Sequence, residues 1–306
     1  MQMPAPDAKV IARSGELAAA LRGVLPAESV HDAEAARRAY QSDGLTAYSQ
    51  LPLLVALPET TAQVADILQV CAAFGAKVVP RGAGTSLSGG ALPLADGVLL
   101  GMAKFNRILE IDYENRCVVA QPGVTNLAVT QAVQGHGFCY APDPSSQVAC
   151  TLGGNVAENA GGVHCLKYGL TTNNLLGLEL VLMSGEVLRL GGRHLDSAGY
   201  DLLGIITGSE GLLGVVTEVT LRILPQPQTV RALLIGFANI EQAGDCVAGV
   251  IAAGIIPGGM ELMDRPAIHA AEAFTGAVYP LDAAAILIVE LDGPEVEAEH
   301  LASRVA

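Results

Sequence analysis

The sequence predicts an α+β protein in two parts, and three observations carry that reading. Strand-like and helix-like stretches follow one another as strand, helix, strand and hairpin, not as a repeated βαβ winding. The strands differ in character: some are continuous apolar runs, others alternate apolar with polar residues. A Pro225-Gln226-Pro227-Gln228 stretch then interrupts all periodicity and divides the chain.

The elements follow in order. Residues 1–50 read as a helical lead-in, with Ala/Leu-rich stretches at Leu17–Leu25 and Ala33–Tyr40, and Leu51–Leu57 as a short buried strand. Thr60 and Gln63 have capping-box spacing ahead of Val64, Ile67, Leu68 and Cys71 at helical intervals, and Gly75 is the expected stop. Lys77–Pro80 and Gly97–Gly101 are strands on either side of a Gly-rich loop. Ile108–Asp112 and Arg116–Gln121 form a hairpin turned at Tyr113-Glu114-Asn115. Thr125 caps a helix ending near Gly135 and Gly137. Ala141–Thr172 lacks periodicity and reads as one long loop, a length that usually serves function. Leu178–Met183 and Glu186–Leu190 flank Ser184-Gly185 as a two-residue hairpin, and Val215–Ile223 alternates as a half-buried strand. Past the divide come a strand (Ala232–Phe237), a helix (Ile240–Ala253), a strand (Met260–Asp264), a helix (Pro266–Phe274), a strand (Ala284–Leu291) and the opening of a further helix. The expected division is a lead-in at 1–50, a first domain at 51–225 and the start of a second at 229–306.

Composition narrows the function. With 17 basic and 31 acidic residues the net charge is −14, and no basic stripe exists to grip a nucleic-acid backbone. The acidic residues after Glu261 read as a solvated face. No apolar run approaches the ~18 residues of a membrane span, and the charged N-terminus is unlike a signal peptide; a cytoplasmic protein without direct membrane insertion is expected. The six cysteines show no C-x-x-C spacing and the six histidines no ligand spacing, so reduced thiols and no metal site are expected. Redox chemistry would need a bound organic cofactor.

Glycine is in excess, 35 of 306 residues against a usual ~7%, and the excess is clustered. Arg81-Gly82-Ala83-Gly84-Thr85-Ser86-Leu87-Ser88-Gly89-Gly90 follows a strand, where successive backbone N–H groups can curl round an anion such as a dinucleotide pyrophosphate. It is neither a P-loop, which needs G-x-x-x-x-G-K-[ST], nor a Rossmann turn, since Leu87 stands where the third Gly belongs. Thr151–Gly162 and Thr207–Val216 are two more Gly loops. One such loop is explained by a turn; three point to backbone passing close to an extended ligand.

The strings PRGAGTSLSGGA, PDPSS, TLGGNVAENAGGVHCLKYG, TGSEGLLGVVTEV and IIPGGMELMD resemble the FAD-linked oxidases of the vanillyl-alcohol oxidase type, and among them the FAD-binding catalytic subunits of bacterial glycolate oxidases. The resemblance runs from about residue 40 to 293. It implies a two-part PCMH-type FAD domain followed by an incomplete α+β cap domain, with the loop Arg81, Gly82, Ala83, Gly84, Thr85 and Ser86 holding the pyrophosphate. It places Asp143, Ser145, Ser146, Asn159, Gly161 and Gly162 against the isoalloxazine and ribityl chain and Gly211, Gly214, Val215 and Val216 on the adenosine side, and it counts Pro80, Gly90, Pro142, Gly153, Gly154, Asn155 and Glu210 among the cofactor-binding residues as well. Covalent branches of the family attach flavin to a His of the first loop; Thr85 stands there here, which implies non-covalent FAD.

The implied reaction is oxidation of a 2-hydroxy acid, glycolate to glyoxylate, by hydride transfer to flavin N5. Electrons would pass to a second FAD-type subunit, an iron–sulfur subunit and the respiratory chain, with any membrane association made through those partners. D-lactate or another 2-hydroxy acid is the alternative substrate, and a non-catalytic FAD-binding subunit or fragment the alternative role. Such a site needs a base and a carboxylate-binding Arg, which the resemblance places beyond residue 306, so the catalytic residues are unassigned. His164, inside the second loop, could face the flavin; the favoured reading is a hydrogen-bonded loop residue.

Overall fold

Four sheets organise the described residues, 3–194 and 199–306, of the computed structural model. The chain divides into two units. One comprises Met1–Tyr140, Pro144–Ala160 and Leu170–Leu224; the other comprises Ala141–Asp143, Gly161–Gly169 and Pro225–Ala306.

The first unit holds a sheet ordered Val30–His31, Leu54–Ala56, Gly97–Gly101, Lys77–Arg81, whose last three strands are parallel. Leu54, Val55, Ala56, Val98, Leu99 and Leu100 are all buried, the continuous apolar signature of a parallel sheet covered on both faces. The helix Thr61–Phe74 packs there through Val64, Ile67, Leu68 and Cys71. Thr60 accepts the Gln63 N–H, Gln63 accepts from Glu59 one residue earlier than a strict capping box, and Gly75 closes the helix at φ 68°. The N-terminal residues do more than lead in. Helix Ser14–Arg22 sends Leu17 and Leu21 into the same core, and Val30–His31 forms the sheet's antiparallel edge.

A second, wholly antiparallel sheet runs Ile108–Asp112, Cys117–Ala120, Val215–Arg222, Leu175–Val181, Val187–Gly191. Val215–Arg222 alternates between buried and half-buried residues along its length. The hairpin after Val181 differs from the expected two-residue turn. The Leu182 N–H donates to the Glu186 carbonyl and the Gly185 N–H to the Leu182 carbonyl, with Gly185 at φ 86°. The connection is therefore a three-residue loop closed by a left-handed glycine.

The expected long loop at 141–172 instead contains three short helices, Leu152–Glu158, Cys165–Tyr168 and Thr171–Asn174. Gly153 and Gly154 lower helix propensity in the first of them. Tertiary packing overrides this: Leu152 and Val156, one turn apart, are both buried in the core under the second sheet.

The second unit is built on an antiparallel sheet ordered Thr229–Phe237, Ala285–Gly293, Gly259–Asp264. Helices Ile240–Ala252 and Glu295–Val305 help enclose a core of Val250, Ile255, Leu287, Val289 and Leu291. Asn239 and Asp264 cap the helices that follow them, each accepting a backbone N–H.

Candidate cofactor site

The site begins where the strand Lys77–Arg81 ends. The Arg81 side chain turns back into the unit, and its Nη1 donates to the carbonyls of Tyr40 at 3.0 Å and Ala91 at 3.3 Å. Burial pulls its pKa below the ordinary guanidinium value, and the nearby negative charge of Asp43 opposes that fall. The loop then folds over the guanidinium. Gly84 sits at φ 74°, and a Cβ on it would lie closer than 3.0 Å to the Arg81 side chain. The backbone N–H groups of Ala83, Gly84, Thr85 and Ser86 donate to no described residue. Consecutive uncommitted N–H groups in a Gly-bearing turn are the elements of an anion nest.

The second wall is the segment Pro144–Ala160. Thr151 occupies the N-cap position of helix Leu152–Glu158, yet its side chain makes no capping bond. Its Oγ1 is buried without a partner and lies so close to Gly82 that no side chain could stand there. Cys150, in the same wall, has its thiol pKa raised above the ordinary value by burial, an effect partly offset by the polar side chains of Ser146 and Asn155 nearby. The third wall is fixed to the second: Gly208 and Glu210 donate backbone N–H bonds to the carbonyls of Val156 and Ala157.

These walls enclose a cavity of about 280 Å³, room for about nine waters and more than a lone anion needs. Pro80, Arg81, Gly82, Ala83, Gly84, Thr85, Ser86, Gly90, Ser146, Gly153, Gly154, Asn155, Glu210, Gly211, Gly214, Val215 and Val216 all line it, so all three predicted loops contribute. Sequence reasoning missed Met102, Pro122 and Thr151, also in the lining; for Thr151 the available signal was a helix-capping residue ahead of Leu152. A second cavity of about 350 Å³, also unanticipated, shares Pro80, Gly90, Glu210, Gly211, Gly214 and Val215 with the first and is otherwise mainly apolar, with Leu68, Val78, Leu92 and Leu94.

The remaining predicted residues lie elsewhere. Ser145 and Asn159 belong to the first unit without lining the cavity; Asn159, left-handed at φ 51°, ends its helix and accepts the Thr172 N–H. Pro142, Asp143, Gly161 and Gly162 belong to the second unit. There, His164 Nδ1 lies 2.6 Å from Asp143 Oδ2 and Nε2 lies 2.9 Å from Glu290 Oε1. The Asp143 hydrogen bond, reinforced by Glu290 and opposed by burial, raises the His164 pKa to about 9. Beside it Lys167 donates to the Asp292 carbonyl at 2.6 Å, and Tyr168 to the Asp292 carboxylate. Among the described residues, no helix is long and apolar enough to cross a membrane, and no three His, Cys, Asp or Glu side chains converge as metal ligands.

An α+β unit whose strand-end glycine loops wall a nucleotide-scale cavity, followed by an antiparallel α+β unit, is the architecture of a flavin-dependent oxidase. The chain belongs to the FAD-linked oxidases: residues 52–191 match the FAD binding domain model, and residues 226–306 match the FAD linked oxidases, C-terminal domain. It is 58% identical to the glycolate oxidase subunit GlcD of Escherichia coli K12, over 87% of this chain and 53% of the relative. It is 42% identical to the Bacillus subtilis glycolate oxidase subunit GlcD, over 87% and 57%, and 38% identical to a D-lactate dehydrogenase of Anaerostipes hadrus, over 80% and 50%. The chain thus spans about half the length of the curated relatives it matches. Two solved structures share the fold. These are 4-ethylphenol oxidase from Gulosibacter chungangensis (TM-score 0.83, 21% identity, 99% of this chain and 64% of that one) and p-cresol methylhydroxylase with substrate bound (TM-score 0.80, 17% identity, 98% and 64%).

Proposed function

We propose that the first unit holds FAD non-covalently and that the protein oxidises a 2-hydroxy acid, glycolate to glyoxylate. The observation that carries this reading is the run of uncommitted N–H groups at Ala83–Ser86 in the same cavity as the buried, unpartnered Thr151 hydroxyl. A pyrophosphate is the anion that fits such a nest within an extended cavity. A hydroxyl left unsatisfied at a cost of about 1–3 kcal/mol is explained if a bound group completes it. The glycolate oxidase subunits among the relatives support the substrate.

The residues divide the work as follows. Ala83–Ser86 would hold the pyrophosphate through backbone N–H groups, and Arg81 braces that loop from beneath. Thr151 and Ser146 offer hydroxyls along the second wall, and the apolar second cavity suits a flat heterocycle. Bound FAD supplies a two-electron acceptor at flavin N5. The base that takes the hydroxyl proton and the Arg that clamps the carboxylate are assigned to segments outside these residues. Electrons would leave to partner subunits, a second FAD-type subunit and an iron–sulfur subunit.

The D-lactate dehydrogenase relative favours D-lactate as the second reading. Turnover of the intact gene product with an artificial electron acceptor separates these readings. Glycolate oxidation is the expected result, and preference for D-lactate moves the assignment to the second reading. Bound flavin with neither activity would make the protein a FAD-binding scaffold, and a purified protein without flavin absorbance would refute the proposal at its root.

A further inference from the structure

The segment Pro144–Ala160 supplies one wall of the cofactor cavity, and short pieces of the second unit flank it in sequence on both sides. Asp143 immediately precedes it and His164 follows four residues after it. These two residues meet: the His164 backbone N–H donates to Asp143 Oδ1 at 3.2 Å, its Nδ1 lies 2.6 Å from Asp143 Oδ2, and Gly162 packs against Asp143 so closely that no Cβ fits. The other ring nitrogen reaches Glu290 on the central strand Ala285–Gly293. With a carboxylate at each nitrogen, both must donate, so the ring is an imidazolium.

Resting on the FAD reading above, we infer that His164 is a positioning residue for the cofactor: clasped between Asp143 and Glu290, it ties together the two ends of the cavity-wall segment. Closing the ends of a loop removes conformational freedom from everything between them. Here that includes Ser146, Thr151 and Gly153–Asn155. The neighbouring charges are already committed, since Lys167 and Tyr168 both bond Asp292, leaving Asp143 and Glu290 as the groups that face the ring.

The clasp makes cofactor affinity depend on pH in a defined direction. The folded pKa, about 9, is raised above the ordinary histidine value of 6.5. In the folded chain that meets FAD the ring therefore stays an imidazolium until the pH approaches 9, and the clasp, with its support of the cavity wall, is lost as the pH passes through that value. A purely structural histidine would affect melting temperature without giving flavin affinity this profile.

The test is fluorescence titration of the flavin-stripped whole chain with FAD at pH 6.5, 8 and 9.5, for the wild type, His164→Arg and His164→Gln, with far-UV circular dichroism recorded in parallel. In the wild type Kd should rise about tenfold across the range, equivalent to about 1.4 kcal/mol. His164→Arg, permanently charged and able to donate to both carboxylates, should stay flat across it, and His164→Gln should bind weakly at every pH. Ionisation of the flavin itself is common to all three. Parallel wild-type and His164→Arg profiles, or wild-type affinity in His164→Gln at pH 6.5, would overturn the clasp while leaving the FAD reading intact. Should His164→Gln fail to fold, the wild-type and His164→Arg comparison still decides. No binding by the wild type at any pH overturns both.

Discussion

The backbone of Gly84 rests directly on the guanidinium of Arg81, with no room between them for a Cβ. The contact explains why an arginine and a glycine three residues apart belong to one device. Arg81 is anchored below by the carbonyls of Tyr40 and Ala91, and the loop uses its flat head as a floor. The Gly84→Val change would force a β-branched residue to φ 74° and drive its side chain into that floor. The left-handed backbone alone costs roughly 1–2 kcal/mol. Loss of bound FAD is expected, read as the flavin-to-protein absorbance ratio after purification, with the fold retained by circular dichroism. Full flavin occupancy would remove the pyrophosphate from this loop.

Arg81 itself has a structural task that does not require flavin. Replacing it by Ala leaves two half-buried carbonyls without their charged donor and Asp43, 5% exposed, without its nearby positive charge. The expected cost is about 2–4 kcal/mol. The flavin-free protein should therefore melt several degrees lower. A variant that lost flavin at unchanged melting temperature would show instead that Arg81 serves the ligand alone.

What could be read from the residues follows their range of action. The helix Thr61–Phe74 and the strand Val215–Arg222 were legible because their caps and periodicities are local. So was the Arg81–Gly90 loop, because four glycines within nine residues exceed what a turn needs. The helix Leu152–Glu158 was not, since Gly153 and Gly154 mask a pattern that only burial of Leu152 and Val156 reveals. The division of Ala141–Gly169 between two units was likewise invisible. It goes with long-range contacts such as His164 with Glu290 and Lys167 with Asp292, 126 and 125 residues apart, and no local pattern marks such pairings. The second, apolar cavity was hidden because its lining comes from a helix face, strands and loops that each look like ordinary core.

Thr85 lines the cavity within the first loop and has no nucleophilic nitrogen with which to attach to a flavin ring. Acid precipitation should therefore release the flavin into the supernatant. Yellow colour remaining with the pellet would refute non-covalent binding and point to attachment elsewhere in the chain.

Thr151 separates ligand binding from stability. Its hydroxyl is buried, makes no capping bond to helix Leu152–Glu158 and has no partner. Replacement of a satisfied buried hydroxyl normally destabilises a protein, whereas removal of an unsatisfied one does not. Thr151→Val keeps the shape and deletes only the polar atom. The flavin-free variant should melt at or slightly above the wild-type temperature. FAD affinity should fall about tenfold, the loss of one ligand hydrogen bond of about 1–1.5 kcal/mol. Calorimetry on the flavin-free proteins and fluorescence titration with FAD give the two numbers. A drop in melting temperature with unchanged affinity would show that the hydroxyl serves the fold, and the cavity would then keep only the Asn155 amide among the described residues as a buried lining group awaiting a ligand.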